Sequence, residues 1–88
     1  MYKKGFLTNI SVEEGIFPNE RIVKSKNYEG KIISGFFNAS IIKDQKLKVM
    51  ILYQERDKIM IIPQGGQFLE EGQDKRIIVN KKDLVYFS

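Results

Sequence analysis

The sequence predicts an all-β fold: a small SH3-like barrel or rolled antiparallel sheet of about five to six short strands, with an OB-type barrel as the alternative. Three observations carry that prediction. Isoleucine and valine supply 18 residues, while Ala39 is the single alanine. Side chains branched at Cβ are stiff at χ1 and suit a pleated surface, whereas helical domains draw on alanine and leucine. Apolar and polar residues alternate over several segments, the period of a strand with one buried face. Short polar stretches holding Gly, Pro, Asn and Asp separate the segments, which is the chemistry of turns.

Length and composition bound the rest. Eighty-eight residues make one domain, 1–88, with no room for a second core. The chain has no cysteine and no histidine. That removes disulfides, thiolate metal sites, the commonest general base and the commonest metal ligand. No run reaches the roughly 20 apolar residues of a membrane-spanning helix, so no membrane partner is expected. The opening "MYKKGFLTNIS" lacks the apolar core of a signal peptide and reads as mature sequence. A cytoplasmic setting is the expectation. The net charge of +4, from 15 Lys and Arg against 11 Asp and Glu, favours acidic partners mildly, because the cations are scattered as pairs and singles.

Along the chain, "GFLTNISV" (Gly5–Val12) reads as a first strand, and "SVEE" (Ser11–Glu14) could cap a single helical turn. "ERIVKS" (Glu20–Ser25) reads as an edge strand after a Phe17-Pro18-Asn19 turn. The region Tyr28–Pro63 has an arguable register. The odd positions Ile33, Phe37, Ala39, Ile41, Leu47, Val49, Ile51, Tyr53, Ile59 and Ile61 are apolar, so the odd face is assigned to the core. Pairing odd with odd gives a three-stranded meander. Ile41 lies opposite Leu47, Ile51 opposite Phe37 and Ile61, and Tyr53 opposite Ile59, through the three-residue loops Lys43-Asp44-Gln45 and Glu55-Arg56-Asp57. "KRIIVN" (Lys75–Asn80) is a further strand, and "NKKD" turns into "LVYFS".

The even face of this meander should be wet, yet its centre is apolar. The same register lines up Phe36, Leu52 and Met60 across three strands, with Met50 and Ile62 beside them and Lys46, Lys48 and Lys58 around them. An apolar patch of that size on a sheet marks a contact surface unless something covers it. Phe68 and Leu69, in the connection Gly65–Lys75, are candidates to fold over it as a lid; the alternatives are a homo-oligomer interface or a protein partner.

Chemistry has few footholds. In "PQGGQFLEEGQ" (Pro63–Gln73) the glycines are not followed by Gly-Lys-Ser/Thr, so the stretch reads as a strand end and a wide turn rather than a phosphate cradle. Glu70 and Glu71 are neighbours on an extended chain and point apart. Ser25 sits between Lys24 and Lys26 but has no histidine to activate it. No catalytic residue, cofactor or metal ligand is assigned. The sequence therefore implies a non-catalytic binding module for a protein partner or a second copy of itself, working through Phe36, Met50, Leu52, Met60, Ile62, Lys46, Lys48 and Lys58. The alternative is a nucleic-acid-binding barrel using Tyr28, Phe36, Lys26, Lys31, Lys46 and Lys48, since small barrels stack bases on aromatics in a basic groove.

Overall fold

The computed structural model describes residues 3–69 and 75–86. Strands make up 65% of the described residues, so the β-branched composition is expressed as sheet. Two antiparallel sheets share one core. The larger is curled and runs in the order β10 (Leu84–Tyr86), β1 (Lys3–Leu7), β6 (Lys46–Glu55), β7 (Lys58–Pro63) and β9 (Ile77–Asn80). A two-residue strand, β5 (Ile42–Lys43), also pairs with β6. The smaller sheet runs β2 (Ser11–Glu14), β3 (Glu20–Lys26), β4 (Ile32–Asn38) and β8 (Gly66–Phe68).

The core lies between them. Leu7, Leu47, Val49, Ile51, Ile59, Ile61, Ile77, Val79 and Leu84 of the larger sheet meet Val23, Ile33, Phe37 and Phe68 of the smaller one. The expected odd face is therefore the buried face wherever Ile33, Phe37, Leu47, Val49, Ile51, Ile59 and Ile61 are concerned. Tyr53 departs from it. Ile51 pairs with Ile61 but Tyr53 pairs with Met60, so Leu52 is an extra residue in β6. Such a bulge exchanges the faces beyond it. Tyr53 consequently points outward, 57% exposed, and the expected pairing of Tyr53 with Ile59 is replaced by Gln54 with Ile59.

The meander is corrected at its first hairpin. β4 does not pair with β6 but lies between β3 and β8. The chain leaves β4 through a 3₁₀ turn at Ala39–Ile41, where the Asn38 side chain accepts from the Ser40 N–H at 2.9 Å. That turn carries the chain from the smaller sheet to the larger. Ala39, the lone alanine, begins it, in keeping with its helical preference. The hairpin that follows is β5–β6, closed by only two residues: Lys43 pairs with Lys46, and Asp44 and Gln45 have φ of 52° and 61°. Positive φ at both central positions twists the turn to match the strands. The β6–β7 loop also has two residues, Arg56 and Asp57, with φ of 57° at Arg56.

Three further expectations change. Ser11–Glu14 is a strand rather than a helical turn, because its whole length pairs with β3 from Lys24 back to Arg21. Glu20–Lys26 is central in its sheet rather than an edge. The Gly5–Val12 segment is broken after Leu7, where the Thr8 N–H and hydroxyl both donate to the Asp83 carbonyl, at 2.8 and 3.1 Å.

The Pro63–Gly66 segment is the bend between two strands in different sheets, as its turn residues suggest. β7 ends at Pro63, Gly65 adopts φ of 70°, and β8 then pairs with β4. Gly35 of β4 is needed there, since a Cβ would run into the Gln67 carbonyl. Phe68 is not a lid. Its ring packs on Phe37 inside the core, with centroids 4.9 Å apart and planes at 62°, a favourable edge-to-face contact. Leu69 is exposed. Glu70, Glu71 and Asp74 lie outside the described residues.

Candidate binding surface

The outer face of the larger sheet is assembled from alternate residues of its strands. On β1, Gly5 and Leu7 are buried, so Lys4 and Phe6 face outward. Register then builds rows across the sheet: Val85, Phe6 and Lys48; Lys4, Met50 and Ile62; Tyr53, Met60 and Ile78. Leu52 joins the last row through the bulge. Phe6, Met50, Leu52, Met60 and Ile62 are half-buried, while Tyr53, Ile78 and Val85 are exposed. Lys4, Lys46 and Lys58 stand exposed on or beside this face.

Four of the five apolar residues expected in the patch are therefore together: Met50, Leu52, Met60 and Ile62, along with Lys46, Lys48 and Lys58. Phe36 is not among them. It belongs to β4 in the smaller sheet, where its neighbours in register are Ile22 and Gln67, and the row joining it to Leu52 does not exist. The rows reach further than expected in the other direction, taking in Phe6, Ile78 and Val85. Their signal was present in the apolar pairs Phe6-Leu7, Ile77-Ile78 and Leu84-Val85, which put one large apolar residue on each face of a strand. It was missed because these strands are too short to show which face is inner.

The residues of the nucleic-acid alternative are spread over different elements. Lys46 and Lys48 lie on β6, Phe36 on β4, Lys26 at the end of β3, and Tyr28 and Lys31 in the β3–β4 connection. That connection is well tied. Asn27 accepts from the Lys31 N–H through its side chain at 2.9 Å, and Gly30 has φ of 85°. The Tyr28 N–H donates to the Ile78 carbonyl at 2.7 Å, on the open edge of β9. The Tyr28 hydroxyl donates to the Asp57 carboxylate, 3.0 and 3.1 Å from its two oxygens. This bond, then partial desolvation and the carboxylate charge, hold the Tyr28 pKa above its ordinary 10.0. Lys58 Nζ lies 5.1 Å from the centre of the Tyr28 ring, a cation–π distance. Tyr28, Lys58, Met60 and Ile78 with Arg76 line an open cleft of about 540 Å³.

A second apolar group stands on the smaller sheet. The β2–β3 hairpin ends in Gly15–Asn19, which leaves Ile16 80% and Phe17 64% exposed. Phe17 and Phe36 share a shallower hollow of about 280 Å³.

Ser25 is buried and its hydroxyl donates to the Asn9 carbonyl at 2.6 Å. Lys24 and Lys26 are exposed on the opposite face of β3, so the flanking lysines do not approach the hydroxyl. Among the described residues no three His, Cys, Asp or Glu side chains converge on one point. No helix among them is long and apolar enough to cross a membrane. No protein-family model, curated protein or solved structure matches this chain.

Proposed function

We propose that the protein is a non-catalytic binding module whose larger sheet receives an acidic, partly apolar polypeptide on its outer face. One observation carries the reading: Phe6, Met50, Leu52, Met60 and Ile62 form a continuous band over three strands, half-buried rather than enclosed, with Lys4, Lys46, Lys48 and Lys58 around it. Apolar burial supplies the affinity in such a surface, and the lysines steer a partner of opposite charge. The SH3-like description of the fold belongs to this proposal. It is supported by a five-strand path in which β1 and β10, the first and last strands in chain order, are neighbours and a 3₁₀ turn, Lys81–Asp83, precedes β10. A cytoplasmic location accords with the absence of cysteine.

Fluorescence anisotropy with two probes tests the reading: a short synthetic peptide alternating glutamate with leucine, and a single-stranded oligo-dT. The peptide should bind with a shallow dependence on salt, and Leu52→Lys should weaken it about tenfold or more, the loss of one central apolar anchor. Binding of oligo-dT with a steep salt slope, strengthened by Leu52→Lys, would replace this reading with nucleic-acid binding.

A further inference from the structure

We infer that the acidic apolar segment this face takes is the β2–β3 hairpin tip of a second copy, so that the protein associates head to tail. The inference rests on the proposed binding role of the larger sheet and names its partner.

The tip has the right chemistry. Ile16 and Phe17 are its most exposed large apolar residues. Glu13, Glu14 and Glu20 flank them, against a single cation, Arg21. The receiving face has the opposite balance, with Lys4, Lys46, Lys48 and Lys58 around its apolar band and Arg76 at its Tyr28 end, against Glu55 opposite Lys58 and Glu29 and Asp57 beside Tyr28. Opposite potentials on two apolar patches favour encounter and fix orientation. The same charges disfavour the symmetric alternative, since packing this face on its own copy sets lysine against lysine.

The tip is also held in advance of any contact. The Gly15 N–H donates to the Glu20 carbonyl at 3.0 Å and the Glu20 N–H to the Phe17 carbonyl at 3.0 Å. The Ile16 N–H donates to the Glu20 carboxylate at 3.1 Å. The Arg21 guanidinium donates to the Pro18 and Glu20 carbonyls, both at 2.9 Å. From outside the hairpin, the Ala39 N–H donates to the Asn19 carbonyl at 2.7 Å. A loop ordered by its own hydrogen bonds loses little entropy on docking. Nothing in the folding of the hairpin itself requires two large apolar side chains turned to water.

The tip and the face belong to different sheets, so the contact is heterologous and leaves one free tip and one free face on each pair. Association therefore continues into rings or open chains. Light scattering and sedimentation across concentration test this. The wild type should rise from its 10.3 kDa monomer at low micromolar concentration to at least about twice that mass near millimolar, the regime of small transient contacts. Phe17→Asp and Leu52→Lys should each remain monomeric, and an equimolar mixture of the two should form dimers, because one variant keeps its face and the other its tip. Far-UV circular dichroism checks that each is folded; should Leu52→Lys fail to fold, Lys4→Glu at an exposed position replaces it. A wild type that is monomeric throughout, a Phe17→Asp variant that still associates, or a mixture that stays monomeric overturns the inference. Peptide binding by a monomeric wild type would leave the binding role standing and remove only the self-recognition.

Discussion

Gln45 has a φ of 61° beside Asp44 at 52°, in a turn where glycine or asparagine is the usual occupant of the second position. A side chain in this left-handed region costs about 1 kcal/mol, which is offset in part by the extra freedom glycine brings to the unfolded chain. Gln45→Gly should therefore stabilise the protein by about 0.5 kcal/mol, raising Tm by roughly 2–4 °C for a domain of this size, as read by thermal unfolding. The same residue explains why the hairpin was assigned the wrong loop length. With no glycine or asparagine at hand, the two-residue turn left no mark in the sequence, and pairing odd with odd positions admitted only loops of three or five residues. Tyr28 gives a second outcome at a single residue. Its hydroxyl is protonated when it donates to Asp57, so the folded state holds that proton more tightly than the unfolded chain, whose tyrosine pKa is near 10.0. The contribution to stability is complete below that value and disappears as pH rises through the higher folded pKa. Ultraviolet titration should show two tyrosines ionising late, Tyr28 and also Tyr53, whose hydroxyl donates to the Glu55 carboxylate at 3.1 Å, and Asp57→Asn should return only Tyr28 toward the ordinary value; no change would mean that the Tyr28 hydrogen bond is not kept in solution.

Strands with one clean apolar face were legible, and their faces were assigned correctly up to the point where an irregularity intervened. Ile59 and Ile61 in β7 and Leu47 to Ile51 in β6 alternate without interruption and are buried as expected. The bulge at Leu52 then reverses Tyr53, and periodicity contains no term for an inserted residue. The partner of β4 was not legible either. Phe37 satisfies a core position whether β4 lies beside β6 or in another sheet, since alternation fixes a face and not a neighbour. Asn38 and Ala39, which turn the chain between sheets, were read as the continuation of a strand. β8 was missed because three residues, Gly66–Phe68, are too few to show a period. Its anchor is testable. Phe68→Ala removes a fully buried ring packed on Phe37 and should cost about 3–5 kcal/mol in urea unfolding, whereas Leu69→Ala, at a 53% exposed position, should cost within about 0.5 kcal/mol. Equal losses at the two positions would contradict the placement of β8.

The molecule buries one face of each sheet in a common core and leaves the larger sheet with a second apolar face. That combination explains why the candidate surface was half legible. Met50, Leu52, Met60 and Ile62 lie on two strands that do pair, so local register found them. Phe6, Ile78 and Val85 come from strands remote in sequence, and Phe36 was included only through a hairpin the chain does not make. The long-range pairings of β1 with β6 and β10 are what complete the face, and no local pattern encodes them. The most direct test is to map where the acidic peptide binds, by following backbone amide shifts of the labelled protein during titration. The perturbed amides should cluster on β1, β6 and β7, at Lys4, Phe6, Met50, Leu52, Met60 and Ile62, with Ile22 and Phe36 unmoved. Perturbation confined to β3 and β4, or to the Tyr28 connection, would contradict that placement.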